Sequence, residues 1–190
     1  ACTHFLEGCG GCALQHWAPA PQAAWKQERL RAALARGGFP EAPVTETITT
    51  PPAARRRADF AIRRGTDGLR LGFHATGSAA ILDIATCPVL HPRLVALLAP
   101  LRDLLPRLPA LKRDGSAVVN LLDTGPDLLL RTDGALDAAG RALLAAFALG
   151  LLVDFSYDSL GVHAAASVLT AYVRPWPLKW MEPRDGYNVN

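Results

Sequence analysis

The sequence predicts an α+β domain built around an antiparallel sheet. Two hairpin signals separated by helical segments predict it, together with a composition rich enough in apolar residues to bury a core. The first hairpin spans residues 55–73, where Ala58, Phe60 and Ile62 alternate with Arg57, Asp59 and Arg63 before the turn Gly65-Thr66-Asp67-Gly68. The second joins Val118–Leu122 to Leu128–Arg131 through a Gly-Pro turn segment. Half of the residues are hydrophobic and 19% are charged, which excludes a chain that is disordered throughout.

The elements follow in order. Residues 1–17 form a Cys- and Gly-rich loop. A helix is expected over Gln22–Arg36, with Trp25, Leu30 and Leu34 near helical spacing, prolines at 19 and 21 ahead of it, and Gly37-Gly38 as its stop. The β-branched run Val44–Thr49 predicts a strand, as does Ala80–Ile84, which leads to Cys87-Pro88. From Pro92 to about Leu108 a leucine stripe predicts a helix that kinks or breaks at Pro100 and Pro106. A further short amphipathic helix is expected over Asp137–Leu149. Beyond residue 150 no clear period emerges; Val162–Leu169 is small and apolar, and the rest is rich in Pro and Trp.

The longest apolar windows, near 94–105 and 142–153, are about a dozen residues, short of the roughly 20 that a membrane span needs. Neither a membrane span nor a signal peptide is read, and a cytoplasmic monomer is expected. The chain starts at Ala1 and its one methionine is Met181, so it reads as a trimmed chain or a piece of a longer protein.

Chemistry concentrates in the cysteines. Cys2, Cys9 and Cys12 fall within eleven residues, and Cys9-Gly10-Gly11-Cys12 is a Cys-x-x-Cys unit whose glycines let the backbone wrap a metal closely. Cys87, which precedes a proline, is the remaining candidate for a fourth ligand. Three ligands in one loop and a fourth from afar favour an iron–sulfur cluster. Other readings use the same residues. A four-cysteine zinc site is one, although only one knuckle is present. Two disulfides are another, although Cys9 and Cys12 are too close for a relaxed one. Plain core cysteines are a third. His4 and His16 flank the loop and fit better as hydrogen-bonding neighbours than as ligands.

The second concentration is positive charge. The whole chain carries a formal charge of +3, whereas residues 54–70 hold six arginines against two aspartates, a net +4. Arg55, Arg56, Arg57, Arg63 and Arg64 are candidate phosphate contacts for a nucleic acid; a solvated strand face is the plainer alternative. His74, after the return strand, is a weaker candidate for stacking on a base.

The run Cys2…Cys9-Gly10-Gly11-Cys12-Ala13-Leu14-Gln15-His16 resembles the cluster loop of RumA/TrmA-type, S-adenosylmethionine-dependent RNA (uracil-5-)methyltransferases. The likeness continues through Trp25-Lys26-Gln27, Arg55-Arg56-Arg57-Ala58, Leu71-Gly72-Phe73-His74, Ile81-Leu82-Asp83-Ile84 and Cys87-Pro88-Val89-Leu90. It extends to a degraded form of the family's Phe-x-Gln-x-Asn segment at the end of the chain, where Gly186 and Asn188 replace Phe and Gln; Ala54 stands where the family has Tyr.

The resemblance implies a 4Fe-4S cluster on Cys2, Cys9, Cys12 and Cys87, as in the ribosomal-RNA branch, and RNA contact, including ribosomal RNA, by the arginine-rich strand. In the whole enzyme a cysteine thiolate attacks uracil C6, C5 takes the methyl group of S-adenosylmethionine, and a base removes the C5 proton. No cysteine follows Cys87, and neither the family's Gly-rich cofactor loop nor its Cys-Asn-Pro motif is present. The chain therefore reads as a central domain without its catalytic partner and inactive alone. It divides into a cluster loop (1–18), a helix and connector (19–50), a central RNA-binding domain (51–150) and a divergent tail (151–190). A zinc-dependent, non-enzymatic RNA-binding module is the alternative.

Overall fold

The computed structural model describes residues 2–157 and 162–173. The α+β expectation holds. Helices α1 (Thr3–Leu6) and α2 (Pro19–Arg36) precede strands β1 (Arg57–Gly65), β2 (Gly68–His74) and β3 (Ile81–Asp83). Helices α3 (Pro92–Ala96) and α4 (Leu98–Leu104) follow, then β4 (Asp114–Leu122), β5 (Gly125–Thr132), α5 (Ala138–Tyr157) and α6 (Val162–Val173). The five strands form one antiparallel sheet in the order β3-β2-β1-β4-β5.

Both expected hairpins form. In the first, Gly65 pairs with Gly68 and only Thr66 and Asp67 lie between them. In the second, Leu122 pairs with Gly125, so the strands run closer to the turn than their sequence implies. Alternation along β1 sets the layers. Ala58, Phe60 and Ile62 are buried on the face that also carries Leu71, Ala117 and Val119, and the leucines of α3 and α4 pack there.

The long leucine-striped helix is broken, as its prolines require. Leu97 lies between α3 and α4, and a 3-10 turn at Leu105–Arg107 holds Pro106. The expected strand at 44–49 does not form. Among the described residues this segment has no strand partner; its Thr45 carbonyl accepts from the Gln27 side chain (2.9 Å) and its Thr47 hydroxyl donates to the Ala23 carbonyl (3.2 Å), so it lies against α2. β-branched residues favour a strand only where a neighbouring edge takes up the backbone groups.

The last helices differ most from expectation. α5 runs 20 residues rather than 13, through residue 150, and is long and apolar enough to cross a membrane. The dozen-residue window read from the sequence is therefore too short. One row of α5 (Leu143, Phe147, Leu151) packs into the core, while Leu149 and Leu152 are exposed. α6 docks on α5 at Gly150, where an added Cβ would strike the backbone of His163 and Ala164. Buried Asp154 on α5 accepts from the amides of His163 (2.9 Å) and Ala164 (2.8 Å), capping α6 from a neighbouring helix. The terminal segment with Trp176, Trp180 and the Phe-x-Gln-x-Asn likeness lies outside the described residues.

Candidate metal centre

The fold brings two distant pieces of chain to one place. The piece bearing Cys87 is pinned on both sides. Before it, buried Ile84 donates to the Leu71 carbonyl (3.1 Å), and Arg102 grips the Ile84 carbonyl and Asp83 (both 2.6 Å). After it, residues 53–55 run alongside 88–91: Ala53 donates to the Pro88 carbonyl (2.9 Å), Arg55 to Val89 (3.0 Å), and His91 back to Arg55 (2.9 Å). Cys87 thus sits three residues from a buried anchor on each side, Ile84 and Leu90.

The loop bearing the other cysteines docks by its backbone on the chain just beyond β2. Gly10 donates to the His74 carbonyl and Thr76 to the Gly8 carbonyl, both at 2.9 Å, and Cys9 forms an isolated bridge with Ala75. Gly10 is required by this approach, because a Cβ there would stand 2.7 Å from the His74 oxygen.

Cys2, Cys9, Cys12 and Cys87 line a single pocket, together with Gln15, Arg55, Phe73 and Thr86. None of the four is paired in a disulfide. The four side chains share this pocket, yet among the described residues no three Cys, His, Asp or Glu side chains form a group that could hold a metal ion. Cys9 is buried and the other three are partly exposed. The Gln15 amide donates to the Cys12 sulfur (3.2 Å) while its oxygen accepts from the Cys2 amide (3.3 Å), tying two cysteines together. The Gly11 amide points at the Cys9 sulfur (3.5 Å). Burial pushes the Cys12 thiol above its ordinary pKa and the nearby Cys87 and Cys9 add to this, whereas the Gln15 hydrogen bond and the Arg55 guanidinium pull it down. Four soft thiols with N–H donors aimed at sulfur are a donor set that fits an iron–sulfur cluster.

The flanking histidines divide. His4 lines the pocket and its Nδ1 lies 3.1 Å from Glu7, whereas His16 stacks on Phe5 and faces Trp17.

The five candidate arginines are not one surface. Arg64 is on the core side of β1, and its Nη2 donates to the carbonyls of Leu105 (2.8 Å) and Pro106 (3.0 Å), closing the C-terminal end of the α4 region. Arg56 binds the Leu121 carbonyl (2.8 Å) and Asp123 (2.6 Å). Arg63 on the open face pairs with Asp114 (2.7 Å). Arg57, on the same face, is exposed and makes no hydrogen bond or ion pair among the described residues. Arg55 turns to the cysteines, where its Nη1 reaches the Gly11 carbonyl (3.5 Å). Sequence reasoning missed this placement of Arg55 and the linking role of Gln15. The signals for Gln15 were its place in the run that resembles the cluster loop and its position three residues after Cys12.

No family model matches the chain. Curated proteins do. Over 155 residues it is 43% identical to a Caulobacter vibrioides protein named an uncharacterized RNA methyltransferase, covering 77% of this chain and 37% of that protein. Over 194 aligned residues it is 39% identical to the 23S rRNA (uracil(1939)-C(5))-methyltransferase RlmD of Pectobacterium carotovorum, covering 100% of this chain and 43% of the relative. The RlmD of Aeromonas salmonicida is 40% identical over 157 residues, 80% of this chain and 36% of that protein. Over most or all of its own length, the chain is therefore similar to RNA methyltransferases. It spans between 36% and 43% of the length of these three relatives. The match of the Pectobacterium relative takes in both the cysteine-bearing segments and the arginine-rich strand, since it covers the whole chain.

Proposed function

We propose that this chain is the iron–sulfur-bearing central portion of an S-adenosylmethionine-dependent RNA (uracil-5-)methyltransferase that makes 5-methyluridine in ribosomal RNA. The observation that carries this reading is the gathering of Cys2, Cys9, Cys12 and Cys87 around one pocket in a chain related to RlmD proteins. These four residues would hold a 4Fe-4S cluster. Three cysteines from one Gly-rich loop and a fourth before a proline suit a cluster better than a four-cysteine zinc site, which usually uses two Cys-x-x-Cys knuckles. The cluster would act as a clip: it would join a loop held by a few backbone hydrogen bonds to the firmly anchored Cys87 segment.

Residues 51–150 would present the open face of the sheet to RNA, with Arg57 as the guanidinium most open to phosphate and Arg63 at the other end of the same strand face. With all four cysteines committed to the metal, none is left here to attack uracil. These 190 residues alone are therefore expected to transfer no methyl group. S-adenosylmethionine would be the donor in the whole enzyme, a cytoplasmic monomer, where its sulfonium supplies the methyl carbon.

Anaerobic reconstitution of the purified chain with ferrous iron and sulfide tests the reading. A brown protein with about four irons and four sulfides per chain supports it. Colourless protein that takes up stoichiometric zinc instead would favour a zinc-dependent RNA-binding module.

A further inference from the structure

The arginine-rich run reads in the sequence as one nucleic-acid contact, yet Arg55 faces the cysteines. Its backbone is fixed on both sides by the pairing with Val89 and His91, so its Cα cannot drift from the Cys87 segment. Its side chain crosses to the other cysteine-bearing piece and binds the Gly11 carbonyl, within the Cys9–Cys12 unit. It lines the same pocket as the four sulfurs and acts electrostatically on Cys12. His4 is the other basic side chain on that pocket, and it is engaged with Glu7.

A core of four irons and four sulfides held by four thiolates carries a net negative charge, and three of the four cysteines here are only partly buried. Such a charge, half withdrawn from water, is stabilised by a fixed cation nearby. A guanidinium suits this position, because it stays charged and its planar fork can serve a carbonyl and a sulfur at once.

We infer that Arg55 is a positioning residue of the metal centre, not an RNA contact: its guanidinium balances the charge of the cluster and latches the Cys9–Cys12 loop to the Cys87 segment. This rests on the iron–sulfur reading above.

The test compares wild type, Arg55→Gln and Arg55→Lys after anaerobic reconstitution, with far-UV circular dichroism to establish that each is folded. The readouts are iron content, the rate of iron loss to a chelator, and the midpoint potential. Arg55→Gln should lose iron about 10-fold faster than wild type or more, in line with the cost of removing groups that support metal ligands. Its potential should be more negative, because reduction adds charge that the guanidinium no longer offsets. Arg55→Lys should recover the potential and part of the retention. RNA affinity of the reconstituted Arg55→Gln should equal that of wild type. Unchanged iron loss and potential in Arg55→Gln would overturn the inference while leaving the cluster reading intact; so would a lower RNA affinity with an unaltered cluster. Wild type that binds no iron would overturn both.

Discussion

The core of the sheet and the cysteine loop are held together in different ways. In the core, Phe60, Ile62, Leu71, Val119 and the leucines of α3 and α4 are almost wholly buried, and apolar contact does the holding. Between Cys2 and Trp17, Cys9 alone is buried, and the loop is kept in place by a few backbone hydrogen bonds to residues 74–76 and by Gln15. A region with so little apolar burial cannot offset its own chain entropy, whereas the sheet can. On the reading proposed above, the core is held by packing and the cluster would be what fixes the loop.

The largest effect should come from breaking the packed region. Phe60→Ala is expected to cost about 3–5 kcal/mol of unfolding free energy, measured by urea titration of the metal-free chain. Cys9→Ala in the same metal-free chain should cost far less, while abolishing iron uptake. If the two variants lost equal stability without metal, the contrast between the regions would be wrong.

Gly10→Ala sharpens the comparison at the boundary. The added methyl group meets the His74 oxygen at 2.7 Å, so the loop must lift. The expected cost is about 1–3 kcal/mol. It should appear as faster hydrogen exchange at the Gly8–Thr76 contact and as lower iron occupancy, with little change in exchange in β1 and β4.

The arginines of β1 divide along the same line. Arg57→Ala should leave the urea midpoint unchanged, weaken binding to a ribosomal-RNA fragment, and lower the salt dependence of that binding by about one phosphate contact. Arg64→Ala should do the reverse, costing about 1.5–3 kcal/mol of stability because its charged hydrogen bonds to Leu105 and Pro106 are lost. Equal RNA effects from the two variants would break the assignment of faces.

The smallest effect is expected at Asp133. Its carboxylate accepts from the amides of Lys112 (2.8 Å), Asp114 (3.1 Å) and Arg113 (2.8 Å), which hold its pKa below the ordinary carboxylate value. A depressed pKa means that its stabilisation is full above the unfolded-state value, near pH 4, and fades as pH falls through the lower folded-state value. Asp133→Asn should therefore be less stable than wild type at pH 7, with the gap in thermal midpoint closing below pH 4.

Legibility followed the range over which each feature is decided. Both hairpins could be read because apolar strand runs and Gly-containing turn segments are local signals, and the break in the leucine helix because Pro100 and Pro106 act on their own turns. The strand at 44–49 misled, since β-branched residues say nothing about whether an edge is free to receive them. The length of α5 was missed for a similar reason. Its apolar sequence continues past residue 150 because α6 and the core cover one side of it, and a partner helix leaves no mark within α5 itself.

By itself the sequence determined the α+β class, the Cys-x-x-Cys unit, the candidacy of Cys87 and the concentration of arginine, since composition and spacing are carried along the chain. Only the tertiary structure decided that residues 75 positions apart in sequence, Cys12 and Cys87, share a pocket. It alone separated Arg55, Arg56, Arg57, Arg63 and Arg64 into different surroundings. Neighbouring residues on a strand point to opposite faces, and what each face meets is set by elements far away in the chain.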